Sequence, residues 1–352
     1  MRLDLRLVTG ATDPEPLTDE VALRPYRPGD EHAILSCYNR IFPNPAGGIA
    51  ERSLAHWQWK FRDNPVGAVQ HVVAEHAEAG IIGSYAGIPV AIWSEQRVQL
   101  AAQGVDLMVL PSWRRHGPPP GLFAYLGWKY HELYCGSDDG KVLFTYGWPV
   151  PAWRMGQRYL GYWNIRDWDF VFRELPLGLA PRATPEALAT APVARFSADV
   201  DALFERLRGG FGLALVRDQR YLNWRYADRP DREYAMFECR ERGSGALRGV
   251  CVYTVADLMR PGTAFLVDWL AAAEDEEATV SMLAALEAQA VAQGTGVLAA
   301  VWNQIDPRFA AFQRLGYQVR GTPYFIVLAS FKYDTIYYRD QWYYTMGDSD
   351  LV

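Results

Sequence analysis

Hydrophobic positions along the chain switch between two periods, and the switches divide it into elements. "VALRPYRPGD" (21–30) is a short β-prone run closed by Pro-Gly-Asp. "DEHAILSCYNRIF" then sets Ala33, Ile34, Cys37 and Ile41 on one helical face, with Asp30 as the expected N-cap. From "AVQHVVAEHA" through "GIIGSYAGIPVAIWSEQRVQLAAQGVDLMVLP" the runs are strand-like and punctuated by Gly and Pro, which predicts an antiparallel meander. "GLFAYLGWKYHELYCG" returns to a helix closed at Gly136, "KVLFTYGWP" reads as a buried strand, and "AWRMGQRYLGY" as a short helix ending at Gly161. Residues 174–195, "ELPLGLAPRATPEALATAPVAR", scatter prolines in a small-residue background and read as a linker. The pattern then resumes with "SADVDALFERLRGG" and a central helix "SMLAALEAQAVAQG", whose alanine-rich stripe suits core packing.

One phrase occurs twice: "WKFRDNP" at 59–65 and "WRYADRP" at 224–230. Other landmarks follow each copy in the same order and at nearly the same separation. Gly83 answers to Gly249, Asp106 in "GVDLMVL" to Asp268 in "FLVDWLA", and Gly161 in "QRYLGY" to Gly316 in "FQRLGY". This predicts two copies of one unit: a first domain over 1–173, the linker 174–195, a second domain over 196–330, and an aromatic tail over 331–352. The 352 residues, 50% of them hydrophobic, suffice for two cores. Trp59 and Trp224 are expected to plug the two sheets, and Pro65 and Pro230 to end the preceding helices. Lys60 and Arg225 are read as rim charges or substrate contacts, the structural role being favoured.

Charge and cysteine usage narrow the function classes. A net charge of −6 argues against general nucleic-acid binding. No run approaches the roughly 18 apolar residues of a membrane span, and "MRLDLRLVTGATDPEP" lacks a signal-peptide core, so a cytoplasmic protein with no membrane partner is expected. Cys37, Cys135, Cys239 and Cys251 show no CxxC spacing, hence no metal site and no disulfide framework. The tail "YDTIYYRDQWYYTMGDSDLV" carries aromatics too costly to leave exposed; it is expected to cover the domain interface or to pair in a homodimer.

"LRPYRPGDEHAILSCYN", the strand "VDLMVLP" running into "SWRRHGPPPGLFAYL", "TYGWP" with "RYLGY", and "VWNQIDPRFAAFQRLGY" resemble the GNAT superfamily of acyl-CoA-dependent acyltransferases. The resemblance implies an α+β (α/β) fold of two tandem GNAT-like domains, each a mixed, largely antiparallel sheet flanked by helices. It also implies acetyl-CoA or another acyl-CoA as co-substrate, a small-molecule amine as acceptor, and no metal. By the same resemblance the donor's pyrophosphate belongs in the loop before the central helix, here Arg114, Arg115, Gly117, Gly121 and Leu122. Backbone amides at a helix start make an anion cradle. Pro118, Pro119 and Pro120 depart from the family's glycine-rich loop and remove amide donors. They are either a rigid extension whose arginines supply charge or the mark of a decayed site. The second half offers Glu274, Asp275, Glu276 and Glu277 at that place, which repel phosphate.

For chemistry, the resemblance puts a backbone amide between Met108 and Leu110 on the thioester oxygen. The family's acid is a tyrosine four residues before the helix-ending glycine, where this chain has Gln157 and Phe312. Tyr146 or Tyr159 is the candidate substitute, and His116 a further candidate on the loop. Asp106, in an apolar strand, is either a base of raised pKa or a structural aspartate. Three readings remain open: an acyl-CoA N-acyltransferase, a related transferase using a carrier-protein thioester or aminoacyl-tRNA, and a non-catalytic module.

Overall fold

Strand-like runs of the first half pair as the meander expected of them. In the computed structural model, which describes residues 13–42, 51–148, 154–176 and 178–352, Val21–Pro25, Gln70–His76, Gly80–Ser94 and Arg97–Val109 are successive antiparallel neighbours. The helix Leu122–Tyr134 then crosses over the sheet, so that Val142–Gly147 joins Arg97–Val109 in parallel. The second half repeats the order: Ala235–Glu241, Leu247–Ala256 and Thr263–Ala271 antiparallel, the helix Glu276–Ala292, then Val297–Val301 in parallel.

Each half's last strand lies in the other half's sheet. Trp163–Glu174, which follows the first "LGY", pairs with Val297–Val301; Gln318–Ser330, which follows the second, pairs with Val142–Gly147; and the two pair with each other. All fifteen strands among the described residues therefore form one sheet, continuous across the expected domain boundary. Within the stretch expected to be a linker, Leu188–Val193 is an edge strand against Ala235–Glu241. The short helix Leu54–Trp57, capped by the Ser53 side chain on the His56 amide, runs into a π-helical turn, Gln58–Arg62. Gln219–Leu222, capped by Asp218 on Tyr221, does the same into Asn223–Ala227. Asp30 stands at the N-cap of Glu31–Ile41 but makes no cap bond with its side chain; its carboxylate accepts from Arg24 at 2.6 and 3.0 Å instead.

The paired landmarks occupy matching positions. Gly83 lies opposite Val109 and Gly249 opposite Ala271, and Asp106 and Asp268 each stand three residues before those partners. Both glycines let the central helix approach: a Cβ on Gly83 would meet Leu126 at 3.2 Å, and one on Gly249 would meet Met282 at 2.7 Å. Trp59 and Trp224 do not plug separate sheets. Their rings stack on each other at 5.2 Å and 19°, and each indole N–H donates to the other's carbonyl, at 2.7 and 2.8 Å. Lys60 and Arg225, read as rim charges or substrate contacts, are buried. The Lys60 ammonium meets Asp106 at 3.2 Å, and the Arg225 guanidinium donates to the Ser349 and Val352 oxygens.

The aromatic tail folds back between the halves. Its helix Thr335–Gln341 is followed by buried Trp342, Tyr343 and Tyr344, and Trp342–Tyr343 pairs in parallel with Leu213–Leu215. Asp348 is locked at 2.5 Å to Arg217, which also donates to Asp268 at 2.8 Å. These rings are thus engaged within the chain.

Candidate functional site

Arg97–Val109 and Val142–Gly147 begin as parallel neighbours at Leu100 and Val142, and their pairing stops at Gln103 and Tyr146. Beyond that point they splay. A bulge helps, because Ser84 lies opposite Met108 while Ala86 lies opposite Val105, leaving Asp106 and Leu107 against one residue of the neighbouring strand. Asp106 takes a positive φ of 53° there, a conformation that a non-glycine residue holds only under constraint.

A cleft of about 900 Å³ passes through the sheet at this splay. Gly83, Tyr85 and Gly87 face the central helix, since Tyr85 packs on Tyr130 at 5.2 Å. Ser84 faces the other way, toward His71, whose ring meets Phe61 at 4.2 Å. The cleft's mouth on the central-helix side is bounded by Arg114, Pro120, Phe123 and Met155; its other mouth by Ile41, Phe42 and Asp350. Tyr146, Gly147 and Trp148 line the middle.

On the central-helix side, Gly121 is the N-cap of Leu122–Tyr134, with φ of 113° and no side chain capping the first turn. A Cβ there would meet the Arg114 carbonyl at 3.0 Å, so only glycine suits the turn. Leu122 is buried and offers its amide alone. Arg114 donates to the Val109 carbonyl at 3.3 Å and borders the cleft. Arg115, His116 and Gly117 do not border it: the His116 ring packs on Trp113 at 4.4 Å, and Gly117 abuts Leu17. His116 therefore stands outside the lining of the cleft. Leu110 is removed as an amide donor to a thioester, because its N–H donates to the Ile82 carbonyl at 2.9 Å; Met108 lines the cleft.

The expectation of Asp106 as a base of raised pKa is corrected. Burial alone would raise it, but the charges of Lys60 and Arg52, both bonded to the carboxylate, outweigh burial and pull it down to about 2. It is an anion fixed between two cations, and it holds the bulge. Since its folded pKa lies below the unfolded value near 3.8, its contribution to stability is present above pH ~4 and is lost as pH falls toward 2. That contribution is on the order of 2 kcal/mol. Urea midpoints followed from pH 5 to 2.5 should fall in the native protein and fall less steeply in Asp106→Asn. Asp268, its counterpart, accepts from Arg217, the Tyr226 hydroxyl and the Trp269 amide, and is structural.

Tyr146 is fully buried, and its hydroxyl has no hydrogen-bond partner among the described residues. Burial keeps it protonated, raising its pKa well above the usual phenol value. The same is true of partners for the Trp148 indole N–H. Asp350, which the repeat did not single out because it lies in the tail, lines both the cleft and a small polar cavity behind it, between the halves. Its carboxylate accepts from Gln103 at 3.1 Å and lies 3.6 Å from Lys60.

In the second half the corresponding gap is filled. Thr263–Ala271 and Val297–Val301 part after Phe265 and Ala299, but Trp269, Trp302, Phe312 and Tyr343 pack into the gap. The Arg308 guanidinium donates to the Ala271 carbonyl at 2.7 Å, and Asp275 caps its own helix by accepting from the Ala278 amide. The equivalent anion cradle is closed by the chain's own carboxylate. No group of three or more potential metal ligands occurs among the described residues, and no helix there is long and apolar enough to cross a membrane.

No family model matches the sequence, and no curated protein matches it. Solved structures do. A conserved Enterococcus faecalis V583 protein described as a probable N-acyltransferase is 11% identical, with 87% of this chain and 72% of that one covered at a TM-score of 0.60. A GCN5-related N-acetyltransferase from Anabaena variabilis is 12% identical over 88% and 72%, at 0.59. Saccharomyces cerevisiae N-myristoyltransferase with bound myristoyl-CoA is 13% identical over 91% and 85%, at 0.55. At such identities the likeness is one of fold: this chain has a GNAT-like fold, an α+β arrangement of a mixed sheet with flanking helices.

Proposed function

We propose that the chain is an acyl-CoA-dependent N-acyltransferase that receives its donor in the first half and a small-molecule amine from the opposite face of the same sheet. The observation that carries this reading is the cleft through the sheet. It joins an uncapped helix N-terminus beside Arg114 to Asp350, and Tyr146, whose hydroxyl has no partner among the described residues, lines it as well. The donor's pyrophosphate belongs at the amides of Leu122 and Phe123, where partial positive charge and Arg114 favour an anion. The thioester belongs between the splayed strands, beside Met108 and Tyr146.

Attack by a neutral amine nitrogen on the thioester carbon forms a C–N bond and moves an electron pair onto oxygen; collapse then breaks the C–S bond. Asp350 accepts the proton that nitrogen loses. Tyr146, a hydrogen-bond donor at neutral pH, stabilises the developing negative charge without giving up its proton, and the released thiolate is protonated from solvent. Asp106 takes no part beyond holding the bulge.

Calorimetric titration with free CoA and its acyl esters tests donor binding directly, and no heat with any of them at millimolar ligand would overturn the reading. Arg114→Ala is expected to weaken binding by about 1–3 kcal/mol, the worth of a charge-assisted phosphate contact. Arg115→Ala, at a residue that does not line the cleft, should change it by less than about 0.5 kcal/mol. Equal effects of the two substitutions would mean that the arginines act as a diffuse charge and not through contact.

A further inference from the structure

We infer that the acyl group carried by the donor is longer than acetyl and lies along an apolar wall formed by Ile41, Phe42, Val105 and Met108. The inference rests on the acyl-CoA reading above and adds the length of the transferred group to it.

These four side chains meet on one face of the sheet. Residues directly opposite in an antiparallel pair point the same way. Met108 therefore shares the face of Ser84, and Val105 that of Ala86, the face away from the central helix. Ile41 ends the helix Glu31–Ile41, and Phe42 follows it, with 47% of its surface exposed. That helix is tied to the same side by bonds between Asn39 and the Arg52 backbone. All four residues line the cleft beyond the splay, on the side opposite Arg114.

A thioester held between the strands, with its nucleotide at the helix N-terminus, must direct its acyl carbons out of the far mouth. An acetyl group, with a single methyl beyond its carbonyl, would leave most of this wall unfilled. The charges near this wall do not oppose a chain, since Asp106 is neutralised by Arg52 and Lys60. Asp350 is held by Gln103 and Lys60 at the edge, where the amine must arrive. The wall thus suits methylene groups, and among the described residues nothing along it offers an unpaired charge to a polar acyl group.

The test is a binding series without acceptor: free CoA, then acetyl-, butyryl-, hexanoyl-, octanoyl- and decanoyl-CoA by calorimetry. A fully buried methylene is worth about 0.8 kcal/mol, a fourfold gain in affinity. With a wall open on one side, hexanoyl-CoA is expected to bind at least about tenfold more tightly than acetyl-CoA, the gain levelling off where the chain outruns Phe42. Ile41→Glu, at a half-buried position, should abolish the ratio of hexanoyl to acetyl affinity. Affinities within twofold across the series, or falling with length, would overturn the inference while leaving the acyl-CoA reading intact. If free CoA and every ester fail to bind, the CoA reading falls, and the same series on acyl-pantetheines decides the wall: a slope there retains the chain site with a different carrier, and no slope removes both.

Discussion

Trp59→Ala and Trp224→Ala are each expected to lower folding stability by about 3–5 kcal/mol, the usual loss for truncating a buried aromatic. The double variant should lose less than the two added together. The rings stack on each other, and each indole N–H donates to the backbone carbonyl of the opposite tryptophan, so either truncation removes the stack and one of the two hydrogen bonds. Aromatic pairs contribute about 0.5–1.5 kcal/mol beyond their buried area, and a buried hydrogen bond about 1 kcal/mol. A coupling of about 1–3 kcal/mol in a urea double-mutant cycle is therefore anticipated. Strict additivity would show that the rings are packed independently by their own halves. The exchanged strands Trp163–Glu174 and Gln318–Ser330 add a second expectation: both halves should unfold in one transition, because neither completes its sheet without the other.

Landmarks of the repeat were readable from sequence because each has a local physical reason. Gly83 and Gly249 are small where a helix must approach, and Gly161 and Gly316 take positive φ after short helices. The strand exchange was not readable. Trp163–Glu174 carries the same alternation whether its neighbour is its own Val142–Gly147 or the other half's Val297–Val301, and periodicity marks a face without naming a partner. Asp106 misled for a related reason: an aspartate in an apolar run suggests a raised pKa, but Arg52 and Lys60, which lower it, are supplied by other elements far along the chain. The loop of three prolines was found in its expected place, while only its Arg114 end reaches the cleft. Asp350 had no signal of its own. Its placement at the cleft follows from Asp348, two residues earlier, being anchored at Arg217, and the residues that do the anchoring are dispersed across the second half.

Tyr146→Phe is expected to separate catalysis from stability. The phenylalanine keeps the ring and its edge contacts with Trp148 and Trp342, and loses only the hydroxyl. A buried polar group without a partner costs about 1–3 kcal/mol, so the variant should be at least as stable as the native protein. Its turnover should nonetheless fall by about 10²–10³, the loss seen when one donor to a developing negative charge is removed. Affinity for acyl-CoA should hardly change, because the donor's pyrophosphate and chain are gripped elsewhere. A packing tyrosine predicts the reverse on both counts: no loss of turnover, and stability that falls with any contact the hydroxyl makes. The two measurements, thiol release under saturating donor and the urea midpoint, point in opposite directions under the two roles. Unchanged turnover would return Tyr146 to the core and leave Asp350 to act alone.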